Sequence, residues 1–221
     1  MARNKTSKAW MHEHVNDTYV KQAKADGYRS RAAYKLLQMD AKDKLLRPGG
    51  VVVDLGSAPG GWSQVAAAAV GPSGRVVAVD LLEMTGIHGV TFIQGDFGHN
   101  AVLDAVTAAL AGRSVDLVLS DMAPNITGIG AVDQAAVAGL AELSLDFALQ
   151  FLGPKGSLLV KVFHGVGFDD LLKQMRRSFR EVVVRKPEAS RGRSPETYLL
   201  ARMRQQGTGG HEAAGEGTNR D

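Results

Sequence analysis

Cysteine is absent from the 221 residues, which excludes a disulfide framework, a thiolate zinc site and a cysteine nucleophile. Long apolar runs are absent as well: the longest, Val65 to Val70, falls far short of the ~20 residues needed to cross a bilayer. The start, Met1 to Lys8, is basic but leads into no apolar segment, so it does not read as a secretory signal. A soluble, cytoplasmic protein is expected. The six histidines (His12, His14, His88, His99, His164, His211) are scattered and form no His-Glu-x-x-His pattern, so no dedicated metal site is expected.

A hydrophobic fraction of 44% over 221 residues is enough for one good core, most simply a single domain with extensions. The net charge of +3 conceals a segregation. Residues 1–48 hold 11 Lys/Arg against 5 Asp/Glu, residues 49–172 hold 4 against 12, and residues 173–204 hold 10 against 3. Either basic end alone reads as a solvated face. Two basic ends around an acidic centre read as a surface for a polyanion such as RNA.

The centre is organised on Val51-Val52-Val53-Asp54-Leu55-Gly56-Ser57-Ala58-Pro59-Gly60-Gly61-Trp62, a buried strand running into a glycine-rich turn, with a helix following from Ser63 to Val70. The turn is either a tight structural turn or a cofactor loop, since backbone without Cβ atoms lets a ligand approach closely. The glycine spacing is not that of a dinucleotide fingerprint, and Trp62 stands where a phosphate-binding loop needs lysine. The pattern fits a smaller, cationic cofactor without a pyrophosphate, S-adenosylmethionine.

Further strands are predicted over Arg75–Asp80, Val90–Asp96, Val115–Asp121, Ser157–Phe163, Glu181–Arg185 and Glu196–Arg202, and helices over Arg31–Met39, Asn100–Ala111, Asp133–Phe151 and Gly167–Phe179. Ser30 is the expected N-cap of the first of these helices, and Gly153-Pro154-Lys155-Gly156 is a predicted turn. This alternation argues an α/β fold, a mostly parallel seven-stranded sheet with helices on both faces. Residues 1–28 form a basic arm or tail, residues 29–204 the domain, and residues 205–221 a Gly-rich tail expected to be disordered.

Acids end several strands, where α/β folds bind ligands. Asp80 lies 24 positions after Gly56, where a Rossmann-like site grips ribose hydroxyls. Asp96 reads either as an acceptor for an adenine amino group or as an N-cap. Asp121 follows the fourth strand, in the position of a catalytic group. Lys161 lies inside an otherwise apolar strand, where a buried charge is costly, so it stands at a rim or serves a function.

Taken together, Asp54 to Trp62, Gly27-Tyr28-Arg29-Ser30-Arg31-Ala32-Ala33-Tyr34-Lys35-Leu36 and Ser120-Asp121-Met122-Ala123-Pro124 closely resemble the motifs of the FtsJ/RrmJ family, S-adenosylmethionine-dependent RNA ribose 2′-O-methyltransferases. The resemblance runs from about Lys8 to Arg204. It implies the Rossmann-like methyltransferase fold and a catalytic tetrad of Lys35, Asp121, Lys161 and Glu196. The cofactor positions it implies are Gly60, Trp62, Asp80, Asp96 and Asp121. A short single-domain member with a basic amino end is most similar to bacterial enzymes that methylate a uridine of 23S rRNA in the large ribosomal subunit. A monomer without a metal is expected.

Chemistry sharpens that expectation. Methylation at carbon 5 of a pyrimidine usually needs a cysteine nucleophile and is closed to this chain. Asp121-Met122-Ala123-Pro124 lacks the second proline and the aromatic of the loop used to methylate exocyclic amines. A non-catalytic RNA-binding or ribosome-assembly factor would have no need of Lys161, and a nicotinamide-linked oxidoreductase is disfavoured by the glycine spacing. Arg3, Lys5, Lys8, Lys21, Lys24, Arg29 and Arg31 on one side, with Arg176, Arg177, Arg191 and Arg193 on the other, are expected at RNA phosphates.

Overall fold

The computed structural model describes residues 17–124, 130–165, 167–190 and 194–205, with the side chains of 130–134 excepted. Apolar runs in the sequence become strands covered on both faces, as parallel sheets require. β1 (Val51–Leu55) is buried at every position, β2 (Arg75–Asp80) and β4 (Val115–Ser120) nearly so, and β3 (Val90–Gln94) is a more exposed edge. β5 (Leu152–Phe163), β6 (Phe179–Arg185) and β7 (Glu196–Arg204) complete seven strands in the order β3-β2-β1-β4-β5-β7-β6. The first five are parallel, and β7 runs antiparallel between β5 and β6. The expected α/β architecture is borne out.

Six helices accompany them among the described residues: α1 (Thr18–Ala25), α2 (Ala32–Asp43), α3 (Gly61–Val70), α4 (Asn100–Leu110), α5 (Gly130–Phe151) and α6 (Phe168–Ser178). On one face of the sheet Val106, Leu110, Leu145, Leu171 and Met175 bring α4, α5 and α6 onto the strands. On the other, Ala33, Leu36, Met39, Trp62 and Val65 do the same for α2 and α3. The expected roles of Arg3, Lys5, Lys8, Arg191 and Arg193 fall outside the described residues.

Three local expectations are corrected. Ser30 is not the N-cap of α2; Arg31 is, with no side-chain cap bond, because the Ser30 hydroxyl is turned against Gly61. The turn expected at Gly153–Gly156 is absorbed into an irregular start of β5, where the register with β4 shifts between Val115 and Leu117. Strand β6 starts at Phe179, two residues early, because Phe179 already pairs with Arg204. Residues 17–28, read as part of the arm, carry α1, which docks through Ala23 against Tyr34 and Ala189 and whose N-cap Asp17 accepts from the Tyr19 amide at 3.0 Å.

One ion pair locks α2 to the antiparallel edge. The Asp43 carboxylate, 5% exposed, accepts from Arg185 Nε and Nη2 at 2.7 Å each and from Arg202 Nη2 at 3.2 Å. The Arg185 hydrogen bond holds the carboxyl below its ordinary value, outweighing the opposing effect of burial. Its stabilisation is therefore present above the unfolded value and lost as pH falls through the lower folded one. Asp43→Ala should cost about 3 kcal/mol at pH 7, the low end for breaking a buried pair, and urea unfolding at pH 7 and pH 3 should show the difference from the parent shrinking in acid.

Candidate functional site

Strand order reverses between β1 and β4, and two loops leave the carboxyl ends of these strands side by side, the crevice where α/β sheets bind ligands. The loops touch at a glycine. Gly56 has φ +71°, and a Cβ there would stand 2.1 Å from Met122 Cγ. Gly60, at φ +108°, is enclosed in the same way by Ile87 and Met84. The turn between them is pinned by bonds from the Gly56 and Ser57 amides to Val79 O and from the Ala58 amide to Asp80 Oδ2 at 2.8 Å.

Arg29 closes the loop from outside. Its guanidinium donates to Pro59 O (3.2 Å), Thr85 O (2.6 Å) and Gly86 O (2.7 Å), and its amide donates to Gln64 Oε1 at 2.7 Å. Arg31 is likewise committed, to Asp17 and to Ala189 O. Both arginines were expected at RNA phosphates; their guanidinium groups instead brace the fold. Of the other candidates on this side, Lys21 and Lys24 lie exposed on α1.

The cleft between the loops is lined by Asp54, Gly56, Ser57, Gly61, Trp62 and Asp121, among others. Two carboxylates and no cation line it, which suits a ligand bearing positive charge and disfavours a phosphate. The Ser57 hydroxyl is buried without a hydrogen-bond partner among the described residues, which suits a group that a ligand satisfies. The N-terminus of α3 opens here, so the amides of Gly61, Trp62 and Ser63 have no helical acceptor. These features fit the ammonium, carboxylate and sulfonium ends of S-adenosylmethionine.

Trp62 contributes from its backbone and wall position, because its indole is 3% exposed and donates to Ala32 O at 2.7 Å. Asp80 uses Oδ2 for Ala58 and Oδ1 for the Leu82 amide at 2.7 Å, leaving each oxygen one further lone pair. Asp96 lies on the adjoining strand end, half exposed, and accepts from the Gly98 amide at 2.8 Å. It is not the N-cap of α4, which is His99. Leu81 and Leu82, exposed beside Asp80, add apolar surface that the sequence did not single out.

Lys35, Asp121, Lys161 and Glu196 come from α2, the loop after β4, β5 and the start of β7, and the fold brings them into one chain of contacts. Lys161 Nζ donates to Asp121 O at 2.6 Å and lies 3.2 Å from Asp121 Oδ1. Lys35 Nζ is 3.6 Å from Asp121 Oδ1 and 3.0 Å from Glu196 Oε1. Both lysines are buried. A second hollow, lined by Arg31, Lys35, Ser194 and Glu196, shares the wall residue Ala32 with the cleft; Asp121 lines the cleft and Lys35 and Glu196 the hollow, so the contact chain links the two openings, with Lys161 behind Asp121.

Two participants were not singled out from the sequence. Tyr198, read only as an apolar strand residue, is fully buried and donates to Asp121 Oδ1 at 2.6 Å. Burial, with Asp121 and Glu196 nearby, raises its pKa far enough to keep it a donor. Asp54, read as the polar residue of β1, is buried under the loop, accepts from Ser63 Oγ at 2.6 Å and is pushed up to about 7, chiefly by desolvation and further by Asp121 and Asp80. Its position between three apolar valines and a glycine turn was the available signal.

Comparison with known proteins gives concordant results. The model of the FtsJ-like methyltransferase family matches residues 28–204. The "Ribosomal RNA large subunit methyltransferase E" of Marinobacter nauticus is 60% identical over 202 residues, covering 91% of this chain and 98% of the relative. That of Azoarcus sp. is 61% identical over 200 residues, covering 90% and 98%. A crystal structure described as a ribosomal RNA methyltransferase from Plasmodium falciparum superposes with a TM-score of 0.71 at 30% identity, covering 80% of this chain and 98% of that one.

Asp54 sets a pH signature for the ligand-free protein. Its folded pKa of about 7 lies above the ordinary 3.8, so folding takes up a proton and this contribution to stability declines as pH rises from about 4 to about 7. Asp54→Asn should remove a decline of up to about 1.4 kcal/mol per pH unit. Urea unfolding at pH 5, 6 and 7 measures it; parallel curves for the two proteins would contradict the assignment.

Proposed function

Because the chain belongs to the FtsJ-like methyltransferase family, we propose that it transfers a methyl group from S-adenosylmethionine to a ribose 2′-oxygen of large-subunit ribosomal RNA, on a uridine. The observation that carries the reading is the contact chain of Lys161, Asp121, Lys35 and Glu196 at the meeting of an acidic cleft and a second, solvent-open hollow. Residues 29–204 are read as the methyltransferase body, with the ends as extensions, acting as a monomer in the cytoplasm. Among the described residues no helix is long and apolar enough to cross a membrane.

Bound S-adenosylmethionine supplies a methyl group already activated by its sulfonium. Asp54, Asp121 and Ser57 hold its charged end, Gly60 and Trp62 supply close backbone, and Asp80 and Asp96 take its ribose and adenine. The protein's remaining task is to hold the 2′-hydroxyl in line and manage its proton; holding reactants at near-attack distance supplies several kcal/mol. Lys161 donates one ammonium proton to Asp121 O and lies 3.2 Å from Asp121 Oδ1, which leaves a proton for the 2′-oxygen. Lys161 would thereby stabilise negative charge on that oxygen, whose proton would pass to solvent in the open hollow while the methyl group is displaced from the sulfonium onto it. Tyr198 and Lys35 hold Asp121 in place, and Glu196 holds Lys35.

Lys161→Ala should lower the single-turnover rate by roughly 10²–10⁴ with cofactor affinity unchanged. Retention of more than about a tenth of the parental rate removes Lys161 from this role. For the donor role the parental rate should stay flat from about pH 6 to 9, whereas a rate climbing through that window identifies a titrating base. Tritiated S-adenosylmethionine, offered with free RNA and with ribosomal particles from cells lacking the protein, followed by mapping of the methylated ribose, tests the substrate.

A further inference from the structure

The two basic ends of the sequence do not form one surface. Strand β7 starts at the catalytic end with Glu196, opposite Phe163, and ends with Arg204 opposite Phe179, about 26 Å away at strand rise. Helix α6, about 16 Å long, runs toward the Phe179 end of that span, so Arg176 and Arg177 occupy its last turn, away from the catalytic end of β7. Arg180 follows on β6, and Lys155 lies at the matching end of β5, two residues before Ser157, which pairs with Arg202. Arg176 and Arg177, expected at RNA phosphates, stand at the end of the strands opposite the catalytic groups.

Most cations at that end are already employed. Arg47 pairs with Asp116, Arg75 donates to Ala109 O, Arg113 to Ser73 O and Gly49 O, and Arg204 to Leu152 O. Lys173, one turn above, pairs with Asp170. Lys155, Arg176, Arg177 and Arg180 differ: all are exposed, and among the described residues none makes an ion pair or a side-chain hydrogen bond. Glu181, next to Arg180, acts on Arg185 across the other face of the strand. Four unneutralised cations in one area have no folding role to explain them.

We propose that Lys155, Arg176, Arg177 and Arg180 form a second RNA-binding surface, which grips backbone phosphates of the substrate at a point remote from the methylated ribose. The inference rests on the reading of the substrate as RNA. The chemistry is sequence-independent: guanidinium groups meet phosphates and release counterions. A folded RNA whose segments reach both ends is held at two places, and a short strand filling only the catalytic hollow at one. The surface thus selects for size and fold rather than for base sequence.

The test compares the parent with the quadruple variant Lys155→Gln, Arg176→Gln, Arg177→Gln, Arg180→Gln, using fluorescence anisotropy over a salt series. The RNAs are a full-length large-subunit rRNA transcript and a 15-nucleotide RNA spanning the methylated ribose. On the long RNA the log–log salt slope should become shallower by about 3, from roughly 0.7–0.9 per phosphate contact, and binding at low salt should weaken roughly 10-fold or more. On the short RNA both proteins should behave alike, and cofactor affinity should not change. An unchanged slope on the transcript overturns the proposal. So does equal weakening on both RNAs, which indicates long-range attraction rather than contact. Unchanged binding to the transcript with lost binding to the intact large subunit assigns the surface to a ribosomal protein instead. Failure to methylate any RNA, by contrast, defeats the proposed activity and leaves the binding result standing.

Discussion

Asp121 Oδ1 receives the Tyr198 hydroxyl at 2.6 Å and lies within reach of the ammonium groups of Lys161 and Lys35, so one carboxylate oxygen joins β7, β5 and α2 to the end of β4. Burying two lysines is tolerable only because this carboxylate and Glu196 offset their charge. In return, burial and the Asp121 carboxylate beside it hold the Tyr198 hydroxyl protonated, as a donor.

The same carboxylate belongs to the second opening. Asp121 lines the cleft with Asp54, and the two acids account for much of what makes that cleft unsuited to phosphate. Asp54 is kept from ionising freely by burial and by its acidic neighbours, against which the Ser63 hydrogen bonds act. A positive charge placed beside the two acids would favour their ionised forms. Rigidity around the cleft comes from close backbone contact, where Gly56 meets Met122 and Gly60 meets Met84 and Ile87, and from Arg29, which ties three carbonyls outside it.

Charge elsewhere divides by employment. Arginines that the sequence placed in one basic class fall into three roles: Arg29 and Arg31 brace loops, Arg185 and Arg202 hold Asp43, and Arg176, Arg177 and Arg180 are exposed without a side-chain partner among the described residues. Counting charges along the chain located the basic ends correctly but could not separate these roles, because the partners are carbonyls and carboxylates distant in sequence.

Runs such as Val51 to Leu55 and Leu158 to Val160, with glycine turns after them, were sufficient in the sequence to declare a parallel α/β sheet, since continuous apolar strands require cover on both faces. Lys35, Asp121, Lys161 and Glu196 were legible because each sits in a motif of its own, and Lys161 because a lysine in an apolar strand needs a reason. Tyr198 was not legible and Asp54 carried only a positional signal: a tyrosine in an apolar strand and an acid at a strand end acquire their meaning from what surrounds them. Likewise, only the antiparallel course of β7 and the descent of α6 decided that Arg176 and Arg177 lie at the far end of the strands. Local pattern carries burial and period, whereas distance between side chains and the electrostatics that follow from it exist only once the chain has folded.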